Sequence, residues 1–379
     1  MTVPIVRQAS GPDVIASVPY HLGFMPTNSL VVISLKPPRG RLGMISRFDL
    51  EPARQATNGG QVATQIASYI KAEGGTGAFV IRFVDTATLP ARHDLAVSQM
   101  VKVLRRELDR IICWDVAGDA MTELDSETLT EVGPVHAVEE LTGTRTAATM
   151  TSIGATYRSS RAELADLPKV EWSQACKAMR AETRARDARL EASPAQLTLW
   201  RQDKISLWHG WLERLVAAGE TLDQIEVPPN LLGQLAALLE DSAGRDAVVI
   251  MLATGRDPGV GDLNPKLLSE RVERAITGAI ANPAYRTNER YAEVAPRLLR
   301  LMLAHQAKDR RGPGFAVMAW DAWWHSDGAR AEVLARAAMG CSTAPLLAMI
   351  VLDLTNSGIL PQVVRLGRAG KGGKARKAS

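Results

Sequence analysis

The chain has few cysteines, few aromatic residues and no long hydrophobic segment, and each scarcity excludes a class of protein. Its three cysteines, Cys113, Cys176 and Cys341, lie far apart, and none has a Cys or His neighbour at metal-ligand spacing. We therefore expect reduced thiols and neither a disulfide scaffold nor a zinc module. The longest apolar run, residues 346–352, is far shorter than the roughly 18 residues of a membrane span. No apolar signal segment follows Arg7, so we expect a cytoplasmic protein without a membrane partner.

Basic and acidic residues nearly balance, with 45 Lys and Arg against 41 Asp and Glu, for a formal charge of +4. Six basic residues stand near the end of the chain with no acid among them, and they leave the preceding residues slightly acidic. They are Arg365, Arg368, Lys371, Lys374, Arg376 and Lys377. We expect residues 365–379 to form a disordered tail, because Gly, Lys, Arg and Ala bury little apolar surface. Such a tail either keeps the protein soluble or contacts nucleic acid through its phosphates.

The first third of the chain alternates short β-branched runs with segments of helical spacing, which indicates an α/β domain. The predicted strands are residues 30–35, 42–48, 78–84 and 111–116, with predicted helices at 61–70 and 91–108. The first two strands are joined by a turn too short for a helix, so they should form an antiparallel hairpin. The second, third and fourth strands alternate with helices and should run parallel, as in βαβαβ units. We expect a mixed sheet.

Strand signals fade after about residue 159, where helical spacings separated by Gly and Pro loops take over. This change predicts an all-helical domain in the second half of the chain. The predicted domains are therefore an α/β domain at 1–158, a helical domain at 159–364 and the tail at 365–379. The helical domain is the part expected to offer a surface to a protein partner.

Several segments resemble the actinobacterial domain-of-unknown-function family numbered 4192. The more specific one is the opening signature, PYHLGFMPTNSLVV at residues 19–32 followed by RFDL at 47–50. Looser likenesses are SRAEL at residues 160–164 and the segments 319–324, 327–329, 345–348 and 358–361, and the chain departs from the family pattern around 115–134. The resemblance implies a source in actinobacteria, their plasmids or their phages. It brings no assigned activity, cofactor or site residue.

One edge of the predicted sheet gathers polar residues from distant parts of the sequence. Ligands of open α/β sheets bind at the carboxyl ends of parallel strands. The first strand is antiparallel, so its beginning should reach the same edge. The residues placed there are His21, Asn28, Ser29, Arg47, Asp49, Asp85 and Asp119.

Three chemistries suit these residues. Asp49, Asp85 and Asp119 offer oxygen ligands to a hard cation such as Mg²⁺, and Arg47 fits a phosphate or carboxylate. A Ser29/His21/Asp49 nucleophilic triad is the second, although no Gly-x-Ser-x-Gly turn surrounds the serine. The third is structural, because Asp and Asn at strand ends commonly cap turns and helices.

Two functions of different class follow from these patterns. The first is a non-enzymatic cytoplasmic interaction or scaffold protein, with a partner surface on the helical domain and a tail that contacts nucleic acid. The alternative is a nucleotide-binding or small anionic ligand-binding protein, or an enzyme, that uses the carboxylate-rich edge. The sequence favours the first, since its packing signals are many and it has no recognisable catalytic set.

Overall fold

The computed structural model describes residues 10–38, 40–85, 89–257, 265–281, 288–342, 344–357, 359 and 361. The chain divides into two compact units, the first reaching Leu164 and the second beginning at Ala165. The basic tail, from Arg365 to Lys377, lies outside the described residues. Among the helices that are described, none combines the length and apolarity needed to cross a membrane.

The first unit combines a sheet with helices. Its strands are β1 (Ser29–Lys36), β2 (Arg41–Asp49), β3 (Gly77–Val84), β4 (Arg110–Ala117), β5 (Ala120–Leu124) and β6 (Glu131–Ala137). Its helices are α1 (Gly11–Leu22), α2 (Leu50–Ala53), α3 (Ala56–Ala72), α4 (Leu95–Glu107) and α5 (Arg145–Ser152).

The six strands of the described first unit form one mixed sheet in the order β2-β1-β3-β4-β5-β6. Strand β1 runs antiparallel to both of its neighbours, β2 and β3, whereas β3 and β4 are parallel. Strands β2, β3 and β4 therefore point the same way, and their carboxyl ends share one edge with the start of β1. The predicted mixed sheet with its hairpin is confirmed.

Strand β1 is buried on both faces, which explains its continuous apolar run. Helix α1 contributes to the core that covers Val31 and Ile33 on one face. Leu30 and Val32 point to the opposite face and are also fully buried. A central strand of this kind holds the edge residues at its start in a rigid position.

Helices α1, α2 and α5 and strands β5 and β6 are absent from the prediction. Helix α1 begins where the Ser10 hydroxyl accepts a hydrogen bond from the Asp13 N–H at 3.3 Å. It ends at Gly23, which has the left-handed φ of 80° that glycine adopts without strain. Pro19 lies inside the helix, where proline is unfavourable, so the sequence does not indicate a helix here.

The second unit is helical throughout its described part, as predicted. Its helices are α6 (Trp172–Leu190), α7 (Pro194–Ala218), α8 (Pro229–Glu240), α9 (Ser242–Thr254), α10 (Pro265–Ala281), α11 (Val294–Ala304), α12 (Gly312–Trp324), α13 (Gly328–Met339) and α14 (Leu346–Asn356). Four tryptophans of α7 and α12 are fully buried in its core: Trp208, Trp320, Trp323 and Trp324. These side chains stabilise the unit by packing, since each removes a large apolar area from water.

Candidate functional site

Five of the seven predicted site residues lie together at the edge where β1 begins and β2 and β3 end. They are Asn28, Ser29, Arg47, Asp49 and Asp85. The strand register places Ser29 opposite both Asp49 on β2 and Phe83 on β3. The antiparallel position of β1 between two strands of the opposite direction is therefore what gathers the cluster.

Asn28 connects the three strand ends. Its backbone has a left-handed φ of 44°, a conformation that Asn adopts more readily than most residues. Its carbonyl accepts a hydrogen bond from the Leu50 N–H at 3.0 Å, just after β2. Its side-chain Nδ2 donates to Asp85 Oδ2 at 2.9 Å, just after β3. Asp85 thus serves as an acceptor that fixes the start of β1.

Ser29 is buried and its hydroxyl is fully engaged. Its Oγ donates to the Thr27 carbonyl at 2.6 Å and accepts from Arg47 Nε at 2.8 Å. A nucleophilic serine must instead give its proton to a base, so the Ser29/His21/Asp49 triad is not formed in this structure. His21 lies in the last turn of α1 with an exposed side chain.

The Asp49 carboxylate lies between two guanidinium groups. Arg47 Nη2 contacts Asp49 Oδ1 at 2.5 Å, and Arg161 Nη1 contacts Asp49 Oδ2 at 3.3 Å. The Arg47 side chain is nearly buried and lies over the ring of Phe24 at 5.9 Å, a cation–π distance. These three side chains together carry a formal charge of +1, which the carboxylate of Asp85 at the same edge balances.

Arg161 was not predicted as a site residue, although a sequence signal for it exists. It belongs to the SRAEL segment, which reaches the edge through a short backbone pairing: Met25 N–H donates to the Arg158 carbonyl at 2.9 Å, and Arg158 N–H donates to Gly23 at 2.8 Å. The Ser159 and Ser160 hydroxyls bind Glu163 and lower the pKa of its carboxyl group. The opening family-like signature and the SRAEL segment therefore meet at this edge.

The three aspartates of the predicted cation site are not assembled. Among the described residues, no group of three or more His, Cys, Asp or Glu is arranged to hold a metal ion. Asp49 is the last residue of β2, whereas Asp119 follows β4, three positions along the sheet and about 14 Å away at roughly 4.8 Å per strand. Ligands of one Mg²⁺ ion lie about 2.1 Å from it, so Asp49, Asp85 and Asp119 cannot share it.

A second charged cluster, buried within the same unit, was not predicted. Arg82 on β3 forms a bidentate pair with Asp115 on β4, with Nε–Oδ1 at 2.8 Å and Nη2–Oδ2 at 2.7 Å. Asp94 accepts from Arg54 Nη2 at 2.8 Å and also caps α4 through the Ala96 N–H at 3.1 Å. Burial lowers the pKa of Arg82, but its pairing with Asp115 outweighs that effect and raises the pKa. The cluster joins strands to a helix and its charges are compensated internally.

The fold and edge together define an α/β unit with a cross-linked polar edge, followed by a helical unit. The chain belongs to the family described as domain of unknown function (DUF4192), whose model matches residues 12–286, well over half of the chain. That range contains every edge residue discussed above, while the family-like segments at 319–361 lie beyond it. No curated protein and no solved structure matches the chain.

Proposed function

We propose that this chain is a non-enzymatic cytoplasmic interaction protein that binds a protein partner through its helical unit. The observation that carries the proposal is the state of the sheet edge. There the Ser29 hydroxyl is occupied, the Asp49 carboxylate is paired with two arginines and Asp85 is held by Asn28. Groups that hold one another in this way build a rigid framework and are not poised for acid–base or nucleophilic chemistry.

The helical unit supports the other half of the proposal, because it exposes large apolar side chains on a folded scaffold. Trp172 on α6 is 76% exposed, and Leu190 at the other end of the same helix is 68% exposed. Isolated exposed apolar residues are common, but an aligned series on one helix face is typical of an interaction surface.

The alternative function is binding of a nucleotide or another small anion at the sheet edge. One observation favours it: Arg47 and Arg161 converge on a carboxylate that is 44% exposed, and a ligand phosphate or carboxylate suits the same guanidinium groups. A nucleotide would bring any Mg²⁺ with its own phosphates, since the protein side chains described do not form a cation site.

A thermal-shift assay with ATP and GTP, each with and without Mg²⁺, separates the two functions. We expect the midpoint of unfolding to stay unchanged with every ligand. A ligand at a hundred times its dissociation constant would stabilise the protein by about 2.7 kcal/mol. A rise that Arg161→Ala abolishes, and that the control Arg105→Ala keeps, would replace our proposal with the alternative. Arg105 is a suitable control because it pairs with Glu127 in the same unit, away from the edge.

The tail remains part of the proposal as a contact to nucleic acid. Its support is the sequence alone: six basic residues without an acid at the end of an otherwise slightly acidic chain. Neutralising six phosphates would give a salt dependence with a slope of about five on logarithmic axes.

A further inference from the structure

Helix α6 carries an apolar stripe along its length. Trp172, Cys176, Met179, Thr183 and Leu190 fall within an arc of about 60°, because successive helical residues turn by roughly 100°. Trp172 and Leu190 are mostly exposed. The three residues between them are half-buried and line a surface pocket together with Arg180 and Arg184. The stripe is about 27 Å long, or 18 residues at 1.5 Å each.

The opposite face of α6 is committed to α8, so the helix cannot turn its stripe inward. Ala178 and Ala181 are buried on this face, and Gly233 of α8 lies against the backbone of Ala178 and Glu182. A Cβ atom placed on Gly233 would lie 2.0 Å from the Ala178 carbonyl oxygen, which shows how closely the two helix backbones approach. The stripe therefore stays on the surface because of the way α6 is packed.

Most charges beside the stripe are basic. Lys177, Arg180 and Arg184 are exposed, whereas the acid Glu182 is buried at 1% exposure. The exposed acid of the helix, Asp187, lies 3.8 Å from Arg186. A partner that covers the stripe must therefore bring negative charge to these positions, because burying like charges against one another is costly.

We propose that the α6 stripe is the docking site for an amphipathic helix of a partner protein, with one apolar face flanked by Asp and Glu. The proposal deepens the proposed function by stating the chemistry of the partner. Apolar residues at helical spacing would cover Trp172, Met179 and Leu190, while the acids would pair with Arg180 and Arg184.

Two other occupants fit less well. A second copy of α6, packed by twofold symmetry, would place basic residues opposite basic residues near the centre of the stripe. Single-stranded nucleic acid binds on a series of aromatic side chains, and Trp172 is the one aromatic residue of α6.

Fluorescence anisotropy with two labelled 18-residue peptides tests the proposal on the full chain. Both peptides present leucines on one helix face; one has glutamates and the other lysines on the flanks. We expect the glutamate peptide to bind in the micromolar range, more weakly as salt rises, and the lysine peptide to bind at least tenfold more weakly. Trp172→Ala should weaken binding of the glutamate peptide about tenfold. Leu346→Ala, a matched change of an exposed apolar residue on α14, should leave the affinity unchanged.

A charge-reversal variant provides the more specific test in the same binding assay. Arg180→Glu combined with Arg184→Glu should weaken binding of the glutamate peptide and strengthen binding of the lysine peptide. An unfolded variant would lose binding of both peptides, so it cannot give this result. Binding of neither peptide, equal binding of both, or indifference to Trp172→Ala would overturn the proposal. Concentration-dependent dimerisation that Trp172→Ala abolishes would assign the stripe to a second copy and overturn it too. The peptide assay and the nucleotide thermal-shift assay are independent of each other. The first can therefore reject the partner chemistry proposed here, while the second separately tests the proposed function.

Discussion

Glu182 offers the sharpest test of the packing in the helical unit, because it is an acid buried on the inner face of α6. Gln306 Nε2 donates to its Oε1 at 3.0 Å, and Arg310 Nη1 is 3.9 Å away. Burial outweighs both contacts and raises the pKa of Glu182 from its ordinary value of 4.5 to about 7. The buried Gln306 Oε1 has no hydrogen-bond partner.

The raised pKa makes stability depend on pH in a defined direction. The folded state binds the proton more tightly than the unfolded state, so the full stability is present below about pH 4.5 and declines as pH rises towards 7. A shift of about 2.5 pKa units corresponds to roughly 3 kcal/mol at 1.36 kcal/mol per unit. Glu182→Gln keeps the shape and removes the charge. We therefore expect it to stabilise the protein by about 3 kcal/mol at pH 8 and by about 1 kcal/mol at pH 5.

Urea unfolding followed by circular dichroism at pH 5 and pH 8 measures this difference. The control is Glu191→Gln, which removes an exposed acid just after α6 and should change the free energy of unfolding by less than about 0.5 kcal/mol. If Glu182→Gln gave no gain at pH 8, burial of a charged carboxylate would not be the governing effect. An equal gain at both pH values would also refute the reasoning, since it would indicate improved packing instead of removal of a charge.

Three further predictions concern other parts of the chain. Arg82→Met should lower the free energy of unfolding by about 3–5 kcal/mol, because it leaves the buried Asp115 carboxylate without its guanidinium and Asp94 with Arg54 alone; a loss under about 1 kcal/mol in urea would contradict this. Gly233→Ala should destabilise the folded protein by about 1–3 kcal/mol, because the added methyl group would overpack against α6. The control Gly210→Ala, at a helix position with open space, should be neutral or stabilising. Equal shifts of the unfolding temperature in the two variants would refute the close approach of α6 and α8. Truncation after Leu366 should leave the melting temperature unchanged and reduce retention on DNA or RNA at low salt; unchanged retention would remove the tail from the proposal.

Much of the edge cluster was predictable because strand direction follows from local pattern. The short turn between β1 and β2, and the helices that precede β3 and β4, determine which strand ends meet at one edge. Asn28, Ser29, Arg47, Asp49 and Asp85 were placed there on that basis. Their engagement was not predictable, because the Ser29–Arg47–Asp49 chain depends on side-chain distances across paired strands.

The order of the strands across the sheet could not be predicted from the sequence pattern. The pattern groups Asp119 with Asp49 because both stand at the carboxyl ends of strands that point the same way. The strand order decided otherwise, since β1 and β3 both stand between β2 and β4. Strand order results from pairing between segments that are distant in sequence. The hydrophobic periodicity within one strand does not indicate which strands become its neighbours.

The sequence by itself determined the fold class, the strand directions, the helical second half and the concentration of basic residues near the end of the chain. Only the tertiary structure decided which face of α6 is buried, because its alanines suit both a packed and a solvated surface. Gly233 allows α8 to lie close to α6, and Ala178, Ala181 and Glu182 are buried on that face of α6. That packing left Trp172 and the basic side chains of α6 on the surface, where the proposed partner would bind.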